Sequence, residues 1–520
     1  MPFMAVGWMS GDRVSGKGVT RRGLLAAGAA SLLLPAAVRA EIFTPIHHVG
    51  GVEARDGVYR SEQRRSTGDG VAWAFTGIRY ARAARFSAPV AVVEAEQLRG
   101  DIFGPVCPQK GDGYRPQSED CLFLNVWTPD IEEKRKRPVM VYFHGGAYST
   151  GSVTDPLNDG AKLAARGDVV VVTVNHRLNA LGYLYLARLD PRLPDSGNAG
   201  QLDLIAALQW VQRNIAAFGG DPGNVTLFGQ SGGGAKIATL MAMPAAKGLF
   251  HKAITMSGQQ VTASGPLNAT KRAQAFLDRL GPGVDPATAP VEQLVAALSA
   301  TDPILGGSVY MGPVLDMTHL SRHPFWPDAA PQSLDIPMML GNTVMETRAF
   351  YAPEGKQLAG LTFDNLAQRI ASEIKIDAHP EWIVGQFRTR YPQAAAGDLF
   401  HRIVTAARSW RGQVEEAEAR ARAGAPAFVY QLDFEDAKHT DDIGLSFGTL
   451  ADPTSSQQAM SDRMMDAFVR FARTGDPGWP AYDLAKRQTM IFDTTSRVEN
   501  DPRRWERQLF ARVPYIQPGS

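Results

Sequence analysis

The residues best suited to covalent chemistry are a serine set among glycines. Gly229-Gln230-Ser231-Gly232-Gly233 fits the pattern G-x-S-x-G, in which small neighbours let the chain turn sharply enough to present a serine hydroxyl. A serine presented this way attacks acyl groups once a base takes its proton. The same pattern recurs at Gly444-Leu445-Ser446-Phe447-Gly448, so the motif alone does not choose between them. Context does. Ser231 follows the strand-like run Asn224-Val225-Thr226-Leu227-Phe228 and precedes the helix-forming Ala235 to Met241, which is the strand–turn–helix setting of a nucleophile elbow. Ser446 has bulky Leu445 and Phe447 beside it and no helix start after it. Ser231 is therefore the expected nucleophile.

Acyl transfer also needs donors for the oxyanion, a base, and a group that orients the base. The N–H of Gly232, at a helix start, is one natural donor. His144-Gly145-Gly146-Ala147-Tyr148 directly follows the strand-like Val139 to Phe143, and it points to Gly145 and Gly146 as further donors from a second loop. His144 precedes the nucleophile and reads as structural. Six histidines follow Ser231: His251, His319, His323, His379, His401 and His439. Spacing does not select one. His439 lies in a polar loop after the strand-like Phe428 to Leu432, whereas His401 sits in a helical pattern and reads as a surface or packing residue. For the acid, Glu346 stands just beyond the apolar run Met338-Met339-Leu340-Gly341-Asn342; a solvated surface charge is the alternative reading.

These residues must be held by a scaffold. Val169 to Val174 is a β-branched run of the kind covered on both faces of a sheet. Leu202 to Phe218 carries Leu204, Leu208, Val211 and Ile215 at helical spacing, and ends at Gly219-Gly220-Asp221-Pro222. Strand, helix, strand, turn, helix is the rhythm of a parallel, doubly wound α/β sheet. Residues 262–332 and 363–424 are richer in helix and loop signals, and are expected as excursions over the sheet rather than separate domains. With 44% hydrophobic and 21% charged residues the chain has ample core material. A net charge of +1 and the lack of a basic, aromatic-interleaved cluster argue against nucleic acid as a partner.

Residues 1–40 differ from the rest. Arg21-Arg22 precedes an apolar stretch from Gly23 to Val38 that ends at Val38-Arg39-Ala40. A charged start, a short apolar run and a small-residue cleavage site describe an export signal, here of the twin-arginine type. The stretch contains Pro35 and is short for a membrane span. The segment holds five basic residues against one acidic, so its removal leaves a mildly acidic enzyme of residues 41–520, periplasmic or secreted, without stable membrane insertion. The two cysteines, Cys107 and Cys121, would be buried thiols in a reducing cytosol; export favours a disulfide. They form no zinc-site pattern.

The chain resembles the type-B carboxylesterases, the family that includes cholinesterases and para-nitrobenzyl esterases. The resemblance is carried in order by Phe75 to Ala81, Ser118 to Val126, His144 to Tyr148, Asn175 to Leu178, Asn198 to Asp203, Phe218 to Pro222, Gly229 to Gly233, Leu249 to Ile254 and Gly475 to Tyr482. It implies an α/β-hydrolase fold, with a mostly parallel central sheet flanked by helices. It also implies hydrolysis of small-molecule carboxylic esters through an acyl-enzyme, without cofactor or metal. The family pattern puts the nucleophile on Ser231, the acid on Glu346, the base on His439, and the oxyanion donors on Gly145, Gly146 and Gly232. It further implies a Cys107–Cys121 disulfide and two scaffold ion pairs, Arg85 with Glu119 and Arg177 with Asp203. The chain departs from the family in having Gln230-Ser231-Gly232 where Glu-Ser-Ala is common: a neutral Gln230 facing the substrate pocket disfavours cationic substrates, and a turn residue held by hydrogen bonds is the alternative reading. It also has Met345-Glu346-Thr347 around the acid. Alternatives on the same scaffold are an amidase, carbamate hydrolase or lipase, and a non-catalytic binding protein.

Overall fold

Short apolar runs bounded by turn residues assemble, in a computed structural model, into one large sheet with helices on both faces. The structure describes residues 44–46, 50–61, 63–98, 101–131, 135–517 and 519; the expected export segment lies outside the described residues. Twelve strands make up the sheet: β1 Thr44–Ile46, β2 Gln63–Thr67, β3 Gly70–Arg79, β4 Phe123–Thr128, β5 Arg137–Phe143, β6 Val170–Val174, β7 Gly220–Gln230, β8 Lys252–Met256, β9 Met338–Thr343, β10 Ala427–Leu432, β11 Gln488–Phe492 and β12 Arg497–Asn500. Their spatial order is β1-β2-β3-β4-β6-β5-β7-β8-β9-β10-β11-β12. From β6 to β11 every neighbouring pair is parallel. Both flanks are antiparallel.

Side chains along a strand alternate between faces, and this alternation builds two cores. Val139, Val141, Phe143, Val170 and Val172 belong to one, and Met140, Tyr142, Val171 and Phe228 to the other. Helix α1 (Ala199–Asn214) covers the first face through Leu204, Leu208 and Val211. The α-helix stops at Asn214, earlier than the apolar spacing suggests. Ile215–Phe218 tightens into a 3-10 turn closed by Gly219 at φ 80°, a left-handed position that glycine tolerates without strain. Helix α2 (Gly232–Leu240) packs on the same face. On the opposite face lie α3 (Asp441–Phe447) and α4 (Ser455–Thr474), the latter burying Met460, Met464, Phe468 and Phe471.

The first excursion contains Pro266–Leu280 and Val291–Ala297. The second contains Leu366–Ile374, Pro380–Arg390, Ala396–Thr405 and Arg411–Arg422. Leu366, Ile370, Phe387, Phe400 and Ile403 give the second its own apolar cluster, so it is a packed layer and not a set of loose loops. Both scaffold ion pairs form. Arg85 grips Glu119 with two bonds of 2.5 and 2.6 Å. Arg177 grips Asp203 at 2.7 and 2.9 Å, both side chains being buried. Cys107 and Cys121 are both buried, as free thiols. They are neighbours: a hydrogen bond with Cys107, together with burial, pushes the Cys121 thiol well above its usual range. Among the described residues no helix is long and apolar enough to cross a membrane.

Candidate active site

Between β5 and β7 the chain visits β6 on one side of β5 and then returns to the other, so the strand order reverses at this point. Such a reversal opens a crevice at the carboxyl ends of parallel strands. Ser231 sits there, between the last residue of β7 and the first of α2, with φ 56° and ψ −124°. For a non-glycine residue that backbone is strained and persists only where its surroundings over-determine it. They do. The Ser231 N–H donates to Met256 O at 2.7 Å. A β-carbon at Gly233 would stand 1.9 Å from Phe143 O, and one at Gly258 would stand 2.0 Å from Ser231 O. The backbone of the elbow is thus pressed between its neighbours so closely that only glycine fits.

Glu346 opens a single 3-10 turn after β9 and is fully buried. Its carboxylate accepts from Ser257 Oγ at 2.5 Å, the Thr343 N–H at 2.7 Å and Asn342 Nδ2 at 3.2 Å. The other oxygen pairs with His439 Nδ1. Burial alone would raise its pKa. The charge and hydrogen bond of His439, with the bonds from Ser257 and Thr343, outweigh that and hold it below the usual carboxylate value. It therefore stays ionised. His439 lies between β10 and α3, with the Phe350 ring 4.7 Å away centre to centre. With Nδ1 tied to a carboxylate, the ring carries its proton there and leaves Nε2 as the acceptor. That atom faces the Gln230 amide at 3.3 Å.

Glu346 and His439, distant in sequence, are thus paired, and His439 meets Gln230, the residue before Ser231. Gln230 is buried and does not line the adjacent cavity; its side chain is turned to His439. Ser446 lies inside α3, buried, with its hydroxyl donating to Ile443 O at 3.0 Å. His401 is a packing residue. Its Nδ1 meets Thr347 Oγ1 at 3.2 Å, and burial lowers its pKa to about 4, so it braces the residue next to Glu346 as a neutral ring.

The second loop reaches the elbow from β5. A β-carbon at Gly145 would stand 3.2 Å from Ser231 Cβ, and one at Gly146, where φ is 90°, would strike Thr150 O at 1.9 Å. Ala147 and Tyr148 continue at φ 52° and 63°. This turn brings Ala147 N to 2.8 Å from the β-carbon direction of Gly232. Behind it, the wholly buried Lys236 of α2 donates to His144 O at 3.0 Å. His144 stacks on His176 at 4.5 Å. Burial, then the nearby Lys236, pushes both imidazoles well below their usual pKa. His144 is accordingly neutral and structural. An open cavity of about 440 Å³ leads to Ser231 and is walled by Ala147, Gly232, Tyr310, Arg408 and Tyr515 among others. Ser257, Ala147 and Arg408 were not singled out from sequence. Only the Met256-Ser257-Gly258 strand end offered a local signal for one of them.

Residues 51–510 match the Carboxylesterase family. The chain is 35% identical over 466 residues to the para-nitrobenzyl esterase of Bacillus subtilis (strain 168), covering 82% of this chain and 91% of that protein. It is 31% identical to carboxylesterase 3B of Mus musculus, over 88% of this chain and 87% of that one. Among solved structures, the Geobacillus stearothermophilus carboxylesterase EST55 superposes with a TM-score of 0.77 at 33% identity, covering 88% of this chain and 99% of that one. A glycine-locked serine elbow at the strand-order reversal, on this scaffold and with these relatives, leads to one assignment: the chain belongs to the carboxylesterase family, serine hydrolases of carboxylic esters with the α/β-hydrolase fold.

Proposed function

We propose that Ser231 is the acyl-accepting nucleophile, His439 its base, and Glu346 the carboxylate that orients and stabilises the imidazolium. Ser231 Oγ bonds to the ester carbonyl carbon while its proton passes to His439 Nε2 and the carbonyl electron pair moves onto oxygen. The Gln230 amide, 3.3 Å from that nitrogen, yields its place to the serine hydroxyl at this step. Backbone N–H groups of Gly145, Gly146 and Gly232 receive the oxyanion. That of Ala147 joins them, since its nitrogen lies against Gly232. One such donor is worth about 3 kcal/mol of barrier. Collapse of the intermediate breaks the bond to the alcohol oxygen, which leaves with the proton from His439. Water then repeats the sequence and releases the acid and free Ser231.

The observation that carries this reading is a continuous line of buried contacts, from Glu346 to His439 and from His439 to the residue beside Ser231. A panel of 4-nitrophenyl esters of rising chain length, run beside matched 4-nitroanilides, tests it. Esters are expected to turn over faster than their amides. Anilides outpacing every ester would make the enzyme an amidase instead.

Export and a Cys107–Cys121 disulfide belong to the same proposal. The twin-arginine pattern of residues 1–40 supports the first. Two buried neighbouring cysteines, with a hydrogen bond joining their side chains, support the second. Enzyme recovered from the periplasm or medium is expected to lack residues 1–40 and to show no free thiol on denaturation without reductant. A full-length cytoplasmic chain with two titratable thiols would contradict both.

A further inference from the structure

The cavity beside Ser231 contains a feature that hydrolysis of a simple neutral ester does not use. Arg408 lines the same cavity as Ser231 and is only 8% exposed. It sits in the five-residue π-turn Ala406–Trp410 between two α-helices. Such turns insert one extra residue and re-aim the side chains around it, often at a functional site. Its guanidinium is incompletely matched. Nη1 reaches Tyr351 Oη at 3.2 Å and lies 3.8 Å from Glu373 Oε2, while Nε is buried without a hydrogen-bond partner. Glu373 is itself shared, taking bonds from Tyr351 Oη at 2.7 Å and Ser372 Oγ at 3.0 Å.

The rest of the wall does not compensate. Among the described residues no acidic side chain lines the cavity; Gln259, Gln260 and Gln517 supply amides, and Tyr310 and Tyr515 supply phenols. Burial raises both phenols, so they remain neutral donors. Behind the wall, Glu346 is committed to Ser257 and His439, and Glu416 accepts from the Gln260 N–H at 2.7 Å. Burial lifts it to about 8, so it is protonated at neutral pH and offers no countercharge. A neutral apolar ester filling this cavity would strip water from a guanidinium and give nothing back, which is costly. A carboxylate in the cavity would instead offer Arg408, a residue of its wall, charge-assisted bonds.

Resting on the esterase reading above, we propose that the preferred substrates are esters that carry a free carboxylate, and that Arg408 receives it. Arg408 is thus a specificity-determining residue in the substrate cavity. Matched pairs test this: monoethyl succinate, glutarate and adipate against ethyl butyrate, valerate and hexanoate, followed by ethanol release. In the wild-type enzyme at least one monoester is expected to exceed its neutral counterpart tenfold in kcat/KM. Arg408→Leu should collapse that ratio by about 10- to 100-fold, the range of a charge-assisted hydrogen bond, and Arg408→Lys should retain part of it. If Arg408→Leu does not fold, because Glu373 is left unmatched, Arg408→Leu with Glu373→Gln removes both charges and reads the same ratio.

A second measurement uses hydrolysis of 4-nitrophenyl acetate as reporter. Monoethyl adipate should compete at least tenfold better than ethyl hexanoate against the wild-type enzyme, and lose that advantage in the Arg408→Leu enzyme. Neutral esters faster in every wild-type pair, equal competition, or an unchanged ratio in the Arg408→Leu enzyme would each overturn the proposal. Absence of turnover of 4-nitrophenyl acetate itself would instead strike the esterase reading.

Discussion

Lys236 places an amine in the interior immediately behind the oxyanion loop, and its replacement by methionine makes a quantitative prediction. Burial pushes its pKa down from 10.5 to about 7. The amine donates to His144 O at 3.0 Å and lies 5.3 Å from the centre of the Tyr148 ring. At about 1.4 kcal/mol per pH unit, the gap between 10.5 and about 7 amounts to about 5 kcal/mol. The sign follows from proton counting. Between pH 7 and 10.5 the unfolded chain holds a proton that the folded chain lacks, so stability rises with pH across that window. Stability tied to the neutral amine is therefore full above 10.5 and is lost as pH falls towards 7. Lys236→Met keeps the volume and removes the titration. It also loses the bond to His144, about 1 kcal/mol at every pH. The difference in unfolding free energy between the two proteins, from urea titrations at pH 7 and pH 9, should move by about 2 kcal/mol in favour of the wild type. Taking the difference cancels the groups common to both. Parallel pH–stability curves would refute the claim that burial depresses this lysine.

Three further outcomes follow from the geometry. Glu346→Gln keeps the shape but removes the charge that fixes the His439 tautomer, so kcat for ester hydrolysis should fall about 10⁴-fold; a loss under tenfold would contradict that role. Gly233→Ala puts a β-carbon 1.9 Å from Phe143 O. It should cost at least about 1–3 kcal/mol of stability together with most of the activity, and an unchanged melting temperature would show that the elbow can relax. Arg177→Leu leaves Asp203 buried and unmatched, at a cost of about 3–5 kcal/mol. Adding Asp203→Asn should recover part of the loss, and failure of the second substitution to help would remove the ion pair as the cause.

The elbow was legible because it is local: strand, glycine-flanked serine and helix are contiguous from Gly220 to Leu240. Glu346 and His439 were candidates on residue type and strand-end position, but their meeting depends on the pairing of β8, β9 and β10. No spacing along the chain encodes that pairing, and only the family pattern selected them in advance. Gln230 is open to two readings in the sequence. Its parity in β7 matches Phe228, which faces the core shared with α3, and this is the face from which His439 approaches. Alternation therefore favours the hydrogen-bonded reading of Gln230 over the pocket-facing one, which adjacency to Ser231 alone leaves open. Arg408 could not be foreseen, because a π-turn breaks the 3.6-residue period on which helical faces are read. Ala147 escapes a reading by side-chain chemistry because alanine has none; its proposed contribution is a backbone N–H, in a turn where Gly146 and Ala147 both have positive φ.

The central claim is that the acyl group is carried by Ser231, and covalent labelling addresses it most directly. Intact-protein and peptide mass spectrometry after treatment with a fluorophosphonate should show one adduct, on the peptide containing Ser231, and none on the Ser231→Ala protein. An adduct mapped to Ser446 or any other residue, or labelling that survives Ser231→Ala, would contradict it.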